Sequence, residues 1–200
     1  MLWNAFMVEK EIIIDPDFIE TDKAMMALYA KGQMDMEEYL SYTLKPLTAI
    51  PCDDIDRLVD EFVIEKVLPL VFPEALTLIN ALKSKHLPLL IISATVSFIV
   101  QKVAKHLGIE QAIGIDLQLN NGCYANKVEG VPSYREGKIT CLKGWIGESS
   151  IRFDKISFYT DSINDLPLCE YADHVYLINP CEQLLSKAKQ HKDWTIYNWG

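Results

Sequence analysis

The sequence predicts an α/β protein in which helices cover a parallel sheet and an all-helical module precedes that sheet. Apolar residues recur at helical spacing over residues 1–71. From Phe72-Pro73 onward, short β-type runs alternate with helical patterns, which is typical of a parallel sheet with helices packed on it. The 200 residues are 50% hydrophobic, which suits one core with a small appended domain. We therefore expect a helical module at 1–71 and an α/β core at 72–200.

The helical module should contain three well-marked helices. Asp15 and Pro16 fit an N-cap followed by proline at the first helical position, where a helix needs no N–H. Apolar residues then recur until Gly32, which can end that helix. Two further amphipathic patterns cover 36–44 and 55–67. The chain itself opens on apolar residues at helical spacing with no cap before them, as in the middle of a helix.

The core should alternate helices and strands. Pro88 is tolerated because it stands at the entrance of a buried strand, and Gly108 is placed to stop the next helix. Asn121-Gly122 between two β-type runs predicts a hairpin, and Ser133 with Glu136 fits a capping box. The predicted segments are helices over 73–85 and 98–107, a helix carrying Ile139, Leu142 and Trp145, a hairpin of 112–119 with 123–128, and strands at 89–93, 156–160, 174–178 and 194–197.

Charge and cysteine usage narrow the functional class. A net charge of −9 argues against nucleic acid or an anionic membrane surface as the main partner, because both call for basic patches. Small phosphorylated molecules remain possible, since a local cation can reverse the field inside one cleft. The five cysteines form no CxxC pair, and no run approaches the ~20 apolar residues of a membrane-spanning helix. We expect a cytoplasmic protein with reduced thiols.

Four polar residues stand where predicted strands end or a helix starts. Ser93 ends an apolar run, Lys138 lies near a helix start, and Asp161 and Asp165 follow the strand at 156–160. Ligands of parallel sheets bind outside the carboxyl ends of the strands, where carboxylates can hold Mg²⁺ against phosphate oxygens. A hydroxyl can bond a phosphoryl oxygen, and a lysine can neutralise charge on the group in transfer. The set indicates a metal-assisted phosphate site, with Asp161 as the ligand and Asp165 as its support.

Each of these residues also has an ordinary structural explanation, which the sequence alone leaves open. Ser93 by itself is more often a helix cap or strand-end hydroxyl, and Thr95 can share that role. Lys138 by itself is usually a solvated helix residue, and Asp165, three residues after Ser162, could complete a capping box. Their joint occurrence, in this order and at these elements, favours the functional interpretation. The four histidines are scattered, so a histidine metal site is not expected.

Three segments resemble motifs II, III and IV of the haloacid dehalogenase superfamily, in its phosphoserine-phosphatase-like branch. They are Ile91–Phe98, Arg135–Lys138 and Tyr159–Leu168. Residues 15–47 resemble the helical cap that this branch inserts just after the first strand. The family often has glycines beside the first aspartate of motif IV, where this chain has Thr160 and Ser162. The resemblance covers roughly the whole chain and implies a Rossmannoid parallel-sheet core with a helical cap.

The resemblance also implies roles for the four residues. Ser93 orients the phosphoryl group, Lys138 balances the charges of nucleophile and phosphate, Asp161 ligates Mg²⁺, and Asp165 supports the metal shell and the lysine. The implied activity is that of an Mg²⁺-dependent phosphatase acting on a small phosphorylated metabolite through an aspartyl-phosphate. Phosphoserine or a similar amino-alcohol phosphate is the implied substrate, with histidinol phosphate as a neighbour. Cap residues should select among them.

The nucleophile of this family is the first aspartate of an Asp-x-Asp motif that ends the first core strand. The candidate is Asp15-Pro16-Asp17, which follows an apolar run. We reject it because Pro16 lacks the N–H that a phosphate cradle uses, and because Ile19 stands where the family pattern wants Thr or Val. We expect instead that this chain lacks the first strand and its nucleophile, about 20 residues for a typical strand and loop.

Two further hypotheses stay beside the phosphatase. One is a truncated, catalytically inactive remnant that binds phosphate without turnover. The other is a flavodoxin-like nucleotide-binding domain, which is disfavoured because the sequence shows no glycine-rich phosphate loop.

Overall fold

The computed structural model describes residues 2–200, and its first part is helical as the periodicity predicted. The short 3₁₀ segments Lys45–Ala49 and Leu68–Leu70 and the π-helical turn Val63–Val67 connect or extend these helices. The helices are α1 (Leu2–Glu9), α2 (Phe18–Ala30), α3 (Met36–Leu44) and α4 (Cys52–Phe62).

The start of α2 differs from the prediction. The residue at the N-cap position is Asp17, and Pro16 lies in the turn before the helix. The Asp15 carboxylate accepts a hydrogen bond from the Asp17 backbone N–H at 3.0 Å. The turn that the Asp15 side chain forms therefore replaces the predicted arrangement, in which Asp15 was the N-cap and Pro16 the first helical residue.

The second part alternates helices and strands in the predicted order. The predicted strand over 112–119 is interrupted at Asp116 and forms two strands. The elements are α5 (Pro73–Ser84), β1 (Leu90–Val96), α6 (Ser97–His106), β2 (Gln111–Ile115), β3 (Leu117–Asn120), β4 (Cys123–Val128), α7 (Glu136–Glu148), β5 (Ser157–Thr160), α8 (Leu166–Tyr171), β6 (His174–Ile178), α9 (Glu182–Ala188) and β7 (Thr195–Tyr197).

The parallel sheet is divided into two halves. β1 pairs with β2, and β5, β6 and β7 form a separate three-stranded parallel sheet. Within residues 2–200, no strand pairs with the second edge of β1 or with the second edge of β5. Unpaired edges of this kind are what the two neighbours of an absent first strand would show.

The hydrophobic core follows the same division. One buried cluster joins α1, α3 and α4 to the β1–β2 half, and its most buried members include Phe6, Ile55 and Ile115. A second cluster, with Leu177 and Leu184 at its centre, belongs to the β5–β6–β7 half. Because the helical module and the β1–β2 half share one cluster, the boundary at residue 71 stays a prediction.

The predicted hairpin forms, but it packs on the helical module. β3 and β4 pair in antiparallel fashion, and their turn lies against the start of α4. The Cys52 backbone N–H donates to the Gly122 carbonyl at 2.9 Å, and Pro51 forms an isolated bridge with Cys123. The hairpin therefore ties the two parts of the chain together.

In the described part of the chain, every helix is too short or too polar to cross a membrane.

Candidate active site

The candidate site lies where β1, β5 and α7 come together. Ser93, expected at the end of its strand, lies in the middle of β1, just after the regular pairing with β2 is interrupted at Ile92. Asp161 and Asp165 follow β5, and Lys138 is in the first turn of α7. The Ser133 hydroxyl donates to the Ser93 backbone carbonyl at 2.5 Å and so links β1 to the loop that leads into α7. The predicted capping box at Ser133 is therefore wrong, because α7 starts at Glu136 and the Ser133 hydroxyl is bound to another strand.

Lys138 and Asp165 form a buried ion pair at the centre of the site. Lys138 Nζ lies 2.5 Å from Asp165 Oδ1, and the two residues are 5% and 7% exposed. The Thr160 hydroxyl donates to the other carboxylate oxygen at 2.6 Å. Such a pair is retained only when each partner satisfies the other, since either charge alone would be costly to bury. Lys138 is thus not a solvated helix residue.

The Asp165 carboxylate is also not a helix cap. It is the Ser162 hydroxyl that accepts from the Asn164 backbone N–H, at 3.2 Å. The Asp165 backbone N–H donates to the Ser162 carbonyl, while its carboxylate is used by Lys138 and Thr160. The Lys138 ammonium group is therefore fixed beside the carboxyl end of β5.

Ser93 keeps part of its ordinary structural role. It is half-buried, and its hydroxyl accepts from the Thr95 backbone N–H at 3.2 Å. An accepting hydroxyl still has its own proton to donate, and so the contact leaves Ser93 able to bond a phosphoryl oxygen. The structure places Ser93 on the wall of the cavity described below.

Asp161 lies at the mouth of the site with its side chain in contact with solvent. Desolvation by the surrounding protein raises the pKa of its carboxyl group, and the nearby Asp165 charge adds to the rise. Its own backbone N–H and Lys138 act in the opposite direction. The carboxylate is thus held near a second negative charge, in a position where a cation would be stabilised.

The donor set fits Mg²⁺ better than a metal held by protein alone. Within residues 2–200, no group of three or more His, Cys, Asp or Glu side chains is arranged to hold a metal. Mg²⁺ does not need one, because it is commonly bound through one or two carboxylates, with waters and substrate phosphate oxygens completing its shell. Asp161 supplies such a carboxylate, and Asp165 is already engaged by Lys138.

Four residues of the site were not predicted from the sequence: Tyr29, Tyr134, Arg135 and Asn164. They connect the end of α2 to the loops that carry the predicted residues. The Asn164 side chain donates to the Tyr29 carbonyl at 2.9 Å and accepts from the Tyr134 hydroxyl at 3.0 Å. The rings of Tyr29 and Tyr134 stack at 6.0 Å, and Arg135 donates to the Gly32 carbonyl.

The Tyr29 phenol lies close enough to the Asp161 and Asp165 carboxylates for their charges to affect its pKa. Burial raises its pKa to about 12, the Asp165 and Asp161 charges contribute to the rise, and the adjacent Ser162 hydroxyl lowers it. Tyr29 is therefore a protonated donor throughout the neutral range, placed by the helical module at the end of β5.

Arg135 has an unusual backbone. Its φ of 51° and ψ of −124° lie in a region that side chains other than glycine rarely adopt, at a cost of about 1–3 kcal/mol. Strain of this kind persists where the surroundings fix the conformation. Here the Arg135 side chain is bound to Gly32 across the site.

A cavity of about 450 Å³ opens beside Ser93 and runs beneath the helical module. Its wall is formed by β1, α6 and helices α1–α4, and it includes Tyr29. At the wall contributed by α1 and α3, Asn4 donates to the buried Asp22 carboxylate at 2.9 Å, and the Tyr39 hydroxyl donates to the same oxygen at 3.3 Å. The cavity is large enough to hold a small molecule, and Ser93 is one of its polar lining residues.

Asp15 and Asp17 lie outside this arrangement. Both are exposed in the turn before α2, and Ile14 beside them is 86% exposed. The run Ile12–Ile14 forms no strand, so these aspartates do not stand at a strand end. The structure supports the rejection of Asp15 as a nucleophile.

A family model for haloacid dehalogenase-like hydrolases matches residues 2–170. The chain belongs to this family. Among curated relatives, the chain is 29% identical to a histidinol-phosphatase of Neisseria meningitidis serogroup C (strain 8013), over 98% of this chain and 90% of that protein. It is 26% identical to a phosphoserine phosphatase of Lactococcus lactis subsp. lactis, over 70% of this chain and 62% of that protein.

Solved structures of the family share the fold. A protein of unknown function from Bordetella pertussis Tohama I superposes with a TM-score of 0.87 at 25% identity, over 98% of this chain and 89% of that one. A phosphoserine phosphatase solved as a phospho-aspartyl intermediate analogue superposes with a TM-score of 0.69 at 18% identity, over 98% and 86%. At that identity the second likeness shows the fold alone.

Proposed function

We propose that this family member, when completed by a first core strand that carries the nucleophile, is a phosphatase that hydrolyses small phosphomonoesters with Mg²⁺. The observation that carries the proposal is the buried Lys138–Asp165 pair beside Asp161, at the carboxyl end of β5. A fixed ammonium group and a solvent-facing carboxylate in one place suit a phosphate dianion and a divalent cation. The relatives named as histidinol-phosphatase and phosphoserine phosphatase support the same reaction class.

Each residue has a role in this proposal. Lys138 neutralises negative charge on the transferring phosphoryl group, and Asp165 holds the ammonium in place. The Ser93 hydroxyl donates to a phosphoryl oxygen. Asp161 holds Mg²⁺, which when bound supplies additional positive charge to the phosphate oxygens. The helical module acts as the cap and covers the leaving group.

We assign the attacking carboxylate to a strand lying between β1 and β5. Both strands run parallel to their paired neighbours and keep one unpaired edge among residues 2–200. A parallel strand between them would end beside Ser93 and Asp161, since the carboxyl ends of parallel strands meet at one edge. Its carboxylate would attack phosphorus, the ester oxygen would leave, and water would then hydrolyse the aspartyl-phosphate.

The proposal is tested first on the purified 200-residue chain. We expect Mg²⁺-dependent binding of inorganic phosphate that is lost in Asp161→Asn, with the exposed Asp154→Asn as the matched control, and no turnover of p-nitrophenyl phosphate. Mg²⁺-dependent turnover that disappears in Asp161→Asn would overturn the assignment of the nucleophile to an additional strand and restore Asp15. Absence of phosphate binding would overturn the site itself.

The intact mass of the protein from its natural source tests the additional strand. A mass about 2 kDa above the 22.8 kDa of this chain would match some 20 further residues. A mass of 22.8 kDa would favour the second candidate function, a remnant that binds phosphate without catalysis. This second candidate is retained because no strand joins β1 to β5 among residues 2–200.

The proposal includes a small phosphorylated metabolite as the partner and a cytoplasmic location. Cysteines without a CxxC pair suit a reducing compartment. A net charge of −9 does not suit nucleic acid or an anionic membrane surface.

A further inference from the structure

Helix α2 ends in a backbone motif that leaves one carbonyl for a partner elsewhere in the chain. The Gly32 N–H donates to the Tyr29 carbonyl at 2.9 Å, and the Gln33 N–H donates to the Leu28 carbonyl at the same distance. With Gly32 at a φ of +66°, this is a Schellman motif. The Gly32 carbonyl takes no part in these two bonds and accepts from the Arg135 guanidinium. The negative end of the α2 dipole thus meets a positive charge.

Arg135 stands at the start of the helix that presents Lys138. It is the N-cap residue of α7, and its carbonyl accepts from the Lys138 backbone N–H at 3.1 Å. Its guanidinium also lies over the Tyr134 ring, 5.5 Å from the centroid, and that ring stacks on Tyr29. One side chain therefore joins the end of α2 to the first turn of α7.

The α2–α7 contact, defined by Gly32 and Arg135, combines a gain with a cost. A hydrogen bond from a charged donor stabilises the closed arrangement, in which α2 lies against the core. A residue other than glycine in the φ and ψ region of Arg135 costs a free energy of the same order. Release of the guanidinium would remove the bond and allow the Arg135 backbone to relax. The closed arrangement therefore has a small net advantage, which a ligand can increase.

A phosphate in the site would favour the closed arrangement. Tyr29 lies close enough to Asp161 and Asp165 for their charges to affect the pKa of its phenol. The phenol proton is a donor that a phosphoryl oxygen beside these carboxylates could accept. Because this donor belongs to α2, it reaches the phosphate only while α2 is held against the core. A ligand that gains a contact in one of two arrangements increases the population of that arrangement.

We infer that Arg135 is a positioning residue of this site, whose bond to Gly32 holds the cap over a bound phosphate and breaks when the phosphate leaves. The inference rests on the proposed phosphatase function and assigns control of ligand release to a residue that acts through α2. An arginine with a purely structural role would stabilise the fold to the same degree with and without ligand.

Arg135→Gly separates these two roles, because glycine removes the guanidinium and also relieves the strained backbone. The 200-residue chain is loaded with Mg²⁺ and inorganic phosphate, and phosphate release is followed by stopped flow with a fluorescent phosphate sensor. We expect release from Arg135→Gly to be about fivefold faster or more, while the denaturation midpoint changes little because the relieved strain offsets the lost bond. Arg152→Gly replaces an exposed arginine in the loop before β5 and should leave release unchanged.

A conservative variant sharpens the comparison. Arg135→Lys keeps a cation but loses the planar guanidinium, and so it should release phosphate at a rate between those of the unmodified chain and Arg135→Gly. If Arg135→Gly binds phosphate and releases it at the unmodified rate, the inference is wrong and the phosphatase proposal stands. A lower denaturation midpoint with an unchanged release rate would show a purely structural role and contradict the inference equally.

Hydrogen exchange tests the inference without any variant. In the unmodified chain, Mg²⁺ and inorganic phosphate together should slow exchange of the Gly32 and Gln33 amides by roughly threefold or more, because the end of α2 is then held closed. Exchange that bound phosphate leaves unchanged overturns the inference, even if Arg135→Gly does not fold. If inorganic phosphate does not bind to the unmodified chain, the proposed function itself fails, and the role of Arg135 fails with it.

Discussion

The two halves of the parallel sheet are packed to different degrees. In the β5–β6–β7 half, Val175, Leu177 and Ile178 of β6 are at most 8% exposed, and Val175 and Leu177 belong to the protein's second hydrophobic cluster. In the other half, residues 90–94 of β1 are only half-buried, and α5 contributes no buried residue. A central parallel strand is normally covered on both faces and paired on both edges. The candidate site therefore lies at the seam between the two halves, where β1 and β5 each keep an unpaired edge among residues 2–200, and the half that contains β1 shares its hydrophobic cluster with the helical module.

The largest effect is expected at the ion pair on this seam. Lys138→Met leaves the Asp165 carboxylate buried without its cation, which should lower the free energy of unfolding by about 3–5 kcal/mol and abolish phosphate binding. Lys143→Met, at an exposed position of the same helix, is the control. Chemical denaturation measures both. Because removal of both charges leaves no buried ion unpaired, and only the Thr160 hydroxyl loses its acceptor, the double variant Lys138→Met with Asp165→Leu should regain most of the lost stability, and failure to regain it would contradict the pairing.

The next effect tests the comparison directly. Leu177 is fully buried in β6, so Leu177→Ala should cost about 2–5 kcal/mol. Ile92 is half-buried in β1, and Ile92→Ala should cost about 1–2 kcal/mol, since less apolar area is lost. Denaturant unfolding of the two variants measures both losses in the free energy of unfolding. Equal costs would mean that the β1 half is as well packed as the other.

A smaller effect is a loss of stability at alkaline pH that depends on Tyr29, near the end of α2. The folded-state pKa of Tyr29 is raised to about 12, above the value of 10.0 for a free phenol. Its contribution to stability is therefore fully present below pH 10 and is lost as the pH rises toward 12, by an amount on the order of 2–3 kcal/mol. Tyr29→Phe should unfold with a weaker pH dependence over this window. Thermal melts of Tyr29→Phe at several pH values measure this dependence, with Tyr42→Phe as the control. If the two variants show the same pH dependence of unfolding, the assignment to Tyr29 is wrong.

The smallest effect lies in one hydrogen bond across the seam. Tyr134→Phe removes the donor to the buried Asn164 side chain and should cost about 0.5–1.5 kcal/mol. The loosened contact with Tyr29 should also accelerate amide hydrogen exchange at the end of α2. If exchange there stays unchanged while stability falls, the bond is local and does not hold the cap.

Much of this fold was predictable because its helices, strands and turns follow from short-range sequence patterns. Periodicity predicted α5 and β6 within one residue of their observed bounds, and Asn121-Gly122 predicted the turn between β3 and β4. Lys138, Asp161 and Asp165 were found because they begin a predicted helix or follow a predicted strand. Ser93 was expected at a strand end and lies inside β1. Ser133 was misassigned because a capping pattern gives a preferred partner, and here its hydroxyl is bound to Ser93, 40 positions away.

The parts that were not predicted depend on contacts between distant segments. Nothing in the local sequence around Asn164 indicates that its side chain bonds the carbonyl of Tyr29, 135 positions earlier. The packing of the β3–β4 hairpin on the helical module is of the same kind. Hydrophobic spacing tells which face of an element is buried, and leaves open which element covers it.

Gly32 is a position at which a substitution would disturb the contact between the helical module and Arg135. Its φ is +66°, and a β-carbon built there would lie 3.0 Å from Arg135 Nη2 and 3.6 Å from Asn164 Oδ1. A β-carbon at this position would thus push the Arg135 side chain back by a few tenths of an ångström, in addition to the strain of a positive φ. A substitution at a residue with no functional group should therefore loosen the contact between the helical module and the residues that begin α7, and a screen restricted to ionisable residues would pass over it.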